Sequence, residues 1–422
     1  MKSTLREAGL LSRHLTTGLL HALKDSPITL LIGARQVGKS TLCQAIAGHD
    51  HPARYVTLDD PTLQAAALSD PPGFLESFDG PVVLDEIQRA PQLFNALKMD
   101  VDRKRRPGRY LLTGSANVLL LPNLSESLAG RVEVLTLWPL SQGEIEGREE
   151  GFMDRVFGAA PLSGPPSHAP RGETLSRLMR GGYPEAVRRT DPARRQAWFR
   201  SYLLTLLQRD VKDLAQIEGL AALPRLLSLL AARTATSVNY ADLARVVGLP
   251  VSTLKRYLVL FETLFLIRTV PAWSNNLSKR LIKTPRLVFV DTGLLSHLIG
   301  ATIARLQMEP MHSGPLLENF VTMEMLKQAG WSRQHPEVFY FRTHTGQEVD
   351  VVLEAQDGRV VGIEVKAATT VKSGDFRGLQ ALQETARKKF HRGIVLYQGK
   401  ETIPFGKDQW AIPIDALWSP SP

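Results

Sequence analysis

The sequence lacks several features that mark specialised classes of protein. Its 422 residues contain one cysteine, Cys43, so we expect neither an intrachain disulfide nor a cysteine-based zinc site, and a reducing, cytoplasmic compartment fits. No stretch approaches the roughly 20 apolar residues of a membrane helix, and no membrane partner is expected. Internal repeats and low-complexity tails are also absent. What remains is a globular chain too long for one hydrophobic core.

The chain contains many charged residues of both signs, with an excess of positive charge. Lysine and arginine number 51 against 42 aspartate and glutamate residues, which gives a net charge of +9. The 43% hydrophobic and 22% charged composition is that of an ordinary folded protein. The basic excess favours a polyanionic partner such as DNA, although many basic proteins bind no nucleic acid.

Short apolar runs separated by helical patterns dominate the first 145 residues. The run at 28–33 is continuous and ends in glycine, as expected for a strand buried on both faces of a parallel sheet. Similar runs follow at 55–59, 81–86, 109–115 and 132–140. Because helical stretches separate the first four runs, the pattern predicts an α/β fold with a doubly wound parallel sheet.

The motif GARQVGKS at 33–40 fits G-x-x-x-x-G-K-[ST] and lies between a predicted strand and a predicted helix. Its glycines let backbone N–H groups surround phosphates, Lys39 neutralises their charge, and Ser40 offers a hydroxyl to Mg²⁺. The motif therefore predicts ATP and Mg²⁺ as cofactors. The predicted nucleotide-binding residues are Gly33, Ala34, Arg35, Gln36, Val37, Gly38, Lys39, Ser40 and Thr41.

The third predicted strand, in PVVLDEIQ at 81–88, ends in two acids. We expect Asp85 to hold the Mg²⁺ together with Ser40, and Glu86 to polarise the attacking water. A protein that only binds nucleotide needs the first acid alone. The second acid therefore favours hydrolysis.

Two further catalytic positions are predicted with alternatives open. In LLTGSAN (111–117), Ser115 and Asn117 are both candidates to sense the γ-phosphate, and turn chemistry explains either residue equally well. Arg131 precedes the fifth strand and is either an arginine finger that reaches a neighbouring subunit's ATP or a surface residue. Cys43 is expected to pack as a small hydrophobe rather than act as a redox switch.

A winged helix is predicted in the middle of the chain, after a Gly-, Pro- and Ala-rich segment at 151–172 and a helical stretch that ends near 232. Its elements are helices at 240–248 and 251–264 and strands at 265–270 and 286–291. Polar residues of the second helix and the wing are predicted DNA contacts: Ser252, Thr253, Lys255, Arg256, Lys279, Arg280 and Lys283. Protein docking and a structural extension of an ATPase lid remain alternatives, and the basic run at 102–109 is a second candidate DNA contact.

Acidic residues interrupt apolar strands near the C-terminus. Asp350 lies on one predicted strand, and Glu364 and Lys366 share a face at the end of the next. Charge on a buried strand is costly unless it is compensated, so we expect Mg²⁺ between Asp350 and Glu364. Lys366 would then orient a water, and Glu318 on the preceding helix would complete the outer shell.

Together these motifs resemble a known family. GARQVGKST, VVLDEIQ, LLTGSAN, LAGRVEVLTLWPLS and GGYPEA look like those of prokaryotic AAA+-type ATPases with a C-terminal region called DUF4143, and the likeness continues through LVFVDTGLL. The family usually has proline at Ala34 and threonine at Ser40, and both changes are chemically mild. The order of the terminal acids is similar to that of PD-(D/E)XK nucleases, especially archaeal Holliday-junction resolvases.

This resemblance implies a domain organisation and an assembly. The expected domains are a P-loop AAA+ ATPase core at 1–150, a linker and helical lid at 151–235, a winged helix at 236–303, and a restriction-endonuclease-like α/β domain at 304–422. AAA+-type ATPases form rings, so a homo-oligomeric ring, preferably a hexamer, is expected.

Three functions compete at this point. The first is a DNA motor that uses ATP to remodel branched DNA, by Holliday-junction branch migration or helicase-like action, in recombination or repair. The second is an ATP-gated, Mg²⁺-dependent nuclease. The third is a signalling ATPase whose winged helix and terminal domain bind protein partners. We rank them in that order.

Overall fold

The computed structural model describes residues 11–115, 128–163, 167, 172–210, 222–309 and 313–419. The chain divides into two compact units. The first comprises the chain up to Leu140 and Val259–Leu266, and the second comprises Ser141–Leu258 and the chain from Ile267 onward. Among the described helices, none is long and apolar enough to cross a membrane.

A five-stranded parallel sheet forms the centre of the first unit. Its strands are β1 (Ile28–Ile32), β2 (Arg54–Thr57), β3 (Val82–Asp85), β4 (Tyr110–Gly114) and β5 (Val132–Thr136). The helices are α1 (Thr16–Asp25), α2 (Lys39–Gly48), α3 (Pro61–Ser69), α4 (Pro71–Glu76) and α5 (Leu93–Arg103). The predicted α/β fold with a parallel sheet is confirmed.

The strand order of this sheet, β2-β3-β4-β1-β5, brings the polar ends of its strands together. All five residues of β1 are buried, and the strand lies between β4 and β5. Ile32 at the end of β1 is in register with Gly114 at the end of β4. Because the carboxyl ends of parallel strands meet at one edge, the segments after β1, β3 and β4 converge there.

Helices and a second sheet make up the second unit. The helices are α6 (Gln142–Glu146), α7 (Phe152–Phe157), α8 (Glu173–Arg180), α9 (Pro184–Arg188), α10 (Pro192–Thr205), α11 (Ala222–Ala232), α12 (Tyr240–Val247), α13 (Val251–Thr263, whose last residues belong to the first unit), α14 (Leu277–Ile282), α15 (Thr292–Leu298), α16 (Ile303–Met308), α17 (Ser313–Ala329) and α18 (Arg377–Ala386). The strands are β6 (Ile267–Val270), β7 (Arg286–Phe289), β8 (Glu337–Arg342), β9 (Glu348–Glu354), β10 (Val360–Val365), β11 (Phe390–Tyr397), β12 (Ile403–Pro404) and β13 (Gln409–Pro413).

The predicted order of helix, turn, helix and two-stranded ribbon is present between α12 and β7. The Asn239 side chain caps α12 by accepting a hydrogen bond from the Asp242 amide at 3.0 Å, and Gly248 ends the helix with a φ of 78°. Strands β6 and β7 then pair antiparallel. The segment between them contains helix α14, which the sequence pattern did not predict.

The helical stretch predicted to end near 232 includes a long periodic pattern at 197–217, but the observed helix there is shorter. Helix α10 ends at Thr205 and continues as a π-helical turn over Leu206–Asp210. Residues 211–221 lie outside the described part of the chain.

The C-terminal sheet has six strands in the order β12-β13-β11-β10-β9-β8. The central strands are buried, and α18 packs on them through Leu379 and Leu382. A Cβ at Gly362 of β10 would lie 2.7 Å from both of these leucine side chains, so the glycine permits the close approach of the helix. A further sheet domain is therefore present in the C-terminal part of the chain, as the resemblance implied.

The family motifs GGYPEA and LVFVDTGLL meet in the second unit through Asp291. Its carboxylate caps α15 by accepting a hydrogen bond from the Leu294 amide at 2.8 Å, and it accepts another from the Gly182 amide at 2.6 Å. A Cβ at Gly181, where φ is 69°, would lie 2.4 Å from the same carboxylate. The two motifs therefore stabilise the fold by contacting each other.

Two helical glycines that differ in their surroundings give a test of how closely α18 packs on β9. Gly378 and Gly314 are each the second residue of their helix, but a Cβ at Gly378 would lie 1.9 Å from the Glu348 backbone oxygen, whereas one at Gly314 meets nothing within 4 Å. We expect Gly378→Ala to lower the free energy of unfolding by about 1–3 kcal/mol, because the helix must move away from β9.

The matched control is Gly314→Ala, which should leave stability unchanged or raise it by up to about 1 kcal/mol, since alanine favours the helix. Urea unfolding of both variants measures the difference. Equal stability of the two variants would contradict the close contact between α18 and β9.

Candidate functional site

The phosphate-binding motif forms the loop between β1 and α2. The loop enters the helix through Gly38, which has a φ of 97°, and Gln36 also has a positive φ of 61°. Among the described residues, no side chain caps the start of α2. The first amides of the helix are thus available to bind an anion, with the favourable end of the helix dipole behind them.

The side chain of Lys39 lies inside this loop. Its side chain is only 4% exposed, and Nζ donates hydrogen bonds to the backbone oxygens of Gly33 (3.0 Å) and Ala34 (2.9 Å). Burial lowers the pKa of Lys39 to about 8, although the charges of Glu86 and Asp85 oppose the shift. The lysine of the motif therefore lies where it can meet phosphate oxygens.

Arg13, which the sequence pattern did not single out, braces the same loop. Its guanidinium donates one hydrogen bond to the Val37 backbone oxygen at 2.7 Å and another to the Trp138 backbone oxygen at 2.6 Å. These bonds connect the phosphate loop to the segment after β5. Both contacts are to backbone atoms, so no local motif marks them.

Asp85, at the end of β3, is the acceptor for hydroxyls from three other elements. Ser40 Oγ donates to its carboxylate at 2.9–3.0 Å, Tyr55 OH at 2.6 Å, and Thr113 Oγ1 also donates to it. The predicted pair of Ser40 and Asp85 is thus brought together. Hydroxyl and carboxylate oxygens are ligands that Mg²⁺ prefers, so the donor set fits this ion. Tyr55 and Thr113 were missed by sequence reasoning.

Glu86 is connected to Ser115 through a third side chain. Glu86 has a φ of 59°, and its amide donates to Thr113 Oγ1 at 3.0 Å. The Gln88 side-chain amide donates both to the Glu86 carboxylate and to Ser115 Oγ, the latter at 2.9 Å. Ser115 thus lies in the site, while the alternative candidate, Asn117, falls outside the described residues.

Arg131 binds an acid of its own chain. Its Nε and Nη2 atoms lie 2.6 and 2.8 Å from the two carboxylate oxygens of Asp102, and this hydrogen bonding lowers the pKa of Asp102. A role for Arg131 in a neighbouring subunit stays a prediction. In the basic run at 102–109, Arg109 is buried and donates to the Leu75 and Phe78 backbone oxygens, so this arginine supports the fold.

The predicted DNA contacts differ in their surroundings. On α13, Ser252, Lys255 and Arg256 are exposed and Thr253 is half-buried, and the Lys255 ammonium lies 5.3 Å from the centre of the Tyr240 ring.

On the segment between β6 and β7, Lys279 is exposed. In contrast, Arg280 is bound within the chain: it donates to Glu354 at 2.5 Å and to the Ser274 backbone oxygen at 2.6 Å. Lys283 donates to the Arg342 backbone oxygen at 3.3 Å. Of the three predicted wing cations, Lys279 is therefore the one whose charged side-chain group has no partner in the described hydrogen bonds and ion pairs.

The acids of the C-terminal region lie close enough for their charges to interact. Burial raises the pKa of Glu364 to about 8, and the negative charge of Asp350 adds to the shift, which outweighs the opposing effect of Lys366. Burial and Asp350 likewise raise the pKa of Glu318 to about 7. Lys366 Nζ lies 2.8 Å from Glu364 Oε1.

A residue that sequence reasoning missed, Arg286, lies among these acids and forms ion pairs with Glu318, with Asp350 and with a further acid, Glu348. Within the described residues, no three acidic, histidine or cysteine side chains are arranged to hold a metal ion. The Mg²⁺ site at Asp350 and Glu364 stays a prediction.

Family models match three parts of the chain. Residues 25–146 match the AAA domain family, residues 173–304 match a domain of unknown function, DUF8612, and residues 313–417 match the domain of unknown function DUF4143. With the parallel sheet and the phosphate loop, these matches define the class of the protein as a P-loop ATPase of the AAA type.

Whole-chain relatives identify the family. The uncharacterized proteins Rv2008c of Mycobacterium tuberculosis and Mb2031c of Mycobacterium bovis are each 30% identical to this chain over 401 residues, which cover 94% of it and 82% of the relative. The chain belongs to this family of prokaryotic AAA-type ATPases with a C-terminal DUF4143 region.

Solved structures resemble the chain only distantly. The Walker-type ATPase PABY2304 of Pyrococcus abyssi is 15% identical, covers 68% of this chain and 96% of its own, and has a TM-score of 0.44. The RuvB Holliday junction branch migration motor of Thermotoga maritima is 17% identical, covers 62% and 90%, and has a TM-score of 0.30. Similarities of this size carry no argument about function.

The position of Gln88 leads to a prediction about turnover. Since its amide contacts both Glu86 and Ser115 and does not contact the phosphate loop, we expect Gln88→Ala to leave nucleotide affinity unchanged and to lower kcat for ATP about tenfold or more. Gln64→Ala is the matched control, because Gln64 donates to the nearby Arg89 backbone oxygen and touches neither residue. Steady-state ATP hydrolysis measures both variants, and a Gln88→Ala kcat equal to that of the control would refute this role.

Proposed function

We propose that this ATPase couples ATP hydrolysis to the remodelling of branched DNA, by branch migration or helicase-like strand separation, in recombination or repair. The observation that carries the proposal is the exposed polar face of α13, where Ser252, Lys255 and Arg256 stand at the start of the second helix of a helix–turn–helix. This part of a recognition helix typically meets phosphates and base edges. The net charge of +9 supports a polyanionic partner.

In this proposal the phosphate loop holds ATP, and Ser40 and Asp85 hold Mg²⁺. The buried ammonium of Lys39 lies against the loop and contacts the phosphates. Glu86 orients and polarises the attacking water, while Ser115, joined to it by Gln88, senses the γ-phosphate. Arg131 completes the site of a neighbouring subunit in a ring, preferably a hexamer, after release from Asp102.

Branched DNA is the proposed substrate because the C-terminal region is similar, in the order of its acids, to junction-resolving nucleases. Lys279, on the exposed helix α14, supplies a further positive charge beyond α13. The wing contribution to DNA affinity is expected to be small, since Arg280 is already bound to Glu354.

A second candidate function, docking of a protein partner, is favoured by the surface of α14. Leu277, Leu281 and Ile282 are 70%, 89% and 82% exposed. Large apolar side chains grouped in this way are typical of surfaces that bind other proteins. The ATPase would then act as a switch whose partner binds the segment between β6 and β7.

The roles of the nucleotide-binding residues give a prediction that separates binding from turnover. Lys39→Ala should weaken ATP binding by about 2–5 kcal/mol, because a buried positive charge opposite the phosphates is lost. Glu86→Gln should keep the affinity and lower kcat by about 10²–10⁴-fold, because water activation is lost. Calorimetric titration with ATP and steady-state hydrolysis measure the two effects, with the exposed-residue variant Glu76→Gln as the control. Wild-type turnover in Glu86→Gln would rule out its proposed role.

Charge reversal on α13 tests the DNA contact. We expect Lys255→Glu/Arg256→Glu to weaken binding to a four-way DNA junction, to reduce the slope of log affinity against log salt by about 2, and to abolish DNA stimulation of ATP hydrolysis. Lys388→Glu/Lys407→Glu is the matched control, since it reverses two exposed charges elsewhere. Fluorescence anisotropy at several salt concentrations measures affinity. If both double variants bind DNA as the wild type does, α13 is no DNA contact and the docking function is favoured.

A further inference from the structure

Arg286, the first residue of β7, reaches the carboxylates of the C-terminal sheet. Its side chain is only 4% exposed. Its Nη1 atom lies 3.2 Å from Asp350 Oδ1 and 3.9 Å from Glu318 Oε2, and its Nη2 atom lies 2.9 Å from Glu348 Oε2. One guanidinium thus neutralises a set of acids that includes two residues of the predicted metal site.

Two other oxygens of that predicted site also have partners, whereas Glu364 Oε2 is buried without a hydrogen-bond partner. Asp350 Oδ2 accepts a hydrogen bond from the Val365 amide at 2.9 Å, and Glu364 Oε1 accepts one from Lys366 Nζ at 2.8 Å. Mg²⁺ and Mn²⁺ require several oxygen ligands at about 2.0–2.2 Å in a regular arrangement. Asp350 is bound to a guanidinium on one side and to an amide on the other, and Glu364 Oε1 is bound to Lys366. Glu364 Oε2 is thus the one carboxylate oxygen of this pair without a partner among the described contacts, and a single oxygen does not supply the ligands that a divalent cation requires.

The backbone of β7 fixes Arg286 in this position. The side chain of Asn319 on α17 binds both the amide and the carbonyl of Phe289, at 2.7 and 2.8 Å, at the other end of the strand. The guanidinium lies 5.0 Å from the centre of the Tyr340 ring. In turn, the Tyr340 backbone oxygen accepts a hydrogen bond from the Trp273 amide at 2.6 Å. The ribbon and the C-terminal sheet are therefore joined around the arginine.

We infer that Arg286 is the resident cation of the cluster formed by Glu318, Glu348 and Asp350, and that it takes the place of a divalent metal ion there. These ion pairs connect the ribbon of β6 and β7 to the C-terminal sheet. The C-terminal domain therefore does not cut DNA through a metal held by Asp350 and Glu364. Removing the arginine leaves Glu318 and Asp350 without the ion pairs described here, while Glu348 keeps its pair with Arg342, and a buried charge without its partner is strongly destabilising.

Binding of Mn²⁺ to the full-length, nucleotide-free protein tests this inference. The wild type and Asp350→Asn should bind Mn²⁺ equally, as measured by electron paramagnetic resonance of the free ion. Arg286→Gln should bind one additional Mn²⁺ per chain, and the double variant Arg286→Gln/Asp350→Asn should not bind it. The melting temperature of Arg286→Gln should be lower than that of the wild type, and Mn²⁺ should partly restore it. Both the added Mn²⁺ and the restored melting temperature are expected because the arginine no longer neutralises these carboxylates.

Arg342→Gln is the matched control, because Arg342 pairs with Glu348 from the surface at 3.0 Å. This variant should bind no additional Mn²⁺. The inference is overturned if the wild type binds a Mn²⁺ that Asp350→Asn loses, or if folded Arg286→Gln gains none. The comparison of wild type with Asp350→Asn decides the matter even if Arg286→Gln does not fold. ATP hydrolysis by the wild type, measured separately, tests the proposed function independently.

Discussion

The carboxylate of Asp85 is the constraint on which the nucleotide site depends. It is buried at the end of β3 and accepts hydrogen bonds from hydroxyls on α2, β2 and β4. A buried carboxylate is costly unless it is hydrogen-bonded, so the three hydroxyls must stay near it. This requirement fixes the start of α2 against the sheet edge. The positions of the phosphate loop and of the segments after β3 and β4 follow from it.

Much of the first unit could be predicted because its signals are local. Buried parallel strands appear as short apolar runs, and the phosphate loop needs glycines at fixed spacing. Arg13, Tyr55 and Gln88 could not be predicted in the same way. Their partners include backbone atoms or side chains on other elements, and the neighbouring sequence does not mark those contacts. Tyr55, for instance, looks like an ordinary strand residue until β2 is placed beside β3.

In the second unit, contacts between residues distant in the sequence were even harder to predict. Apolar strands with acids correctly indicated that negative charge is buried and must be compensated. The sequence around Asp350 does not reveal that the compensation comes from Arg286, which lies more than sixty residues earlier in the chain. Helix α14 was missed because its apolar residues are exposed and give no pattern of burial. Asp291 and Gly182 likewise explain the family motifs only once they are seen in contact.

The central claim is that ATP turnover in this protein serves the remodelling of branched DNA. The most direct measurement is the rate of ATP hydrolysis in Mg²⁺ with four-way, forked and linear DNA of equal length, while strand integrity is followed on the same samples. The account predicts that turnover rises most with four-way junctions, and that these separate into duplexes with every strand intact. Turnover that is the same with and without each DNA would contradict it.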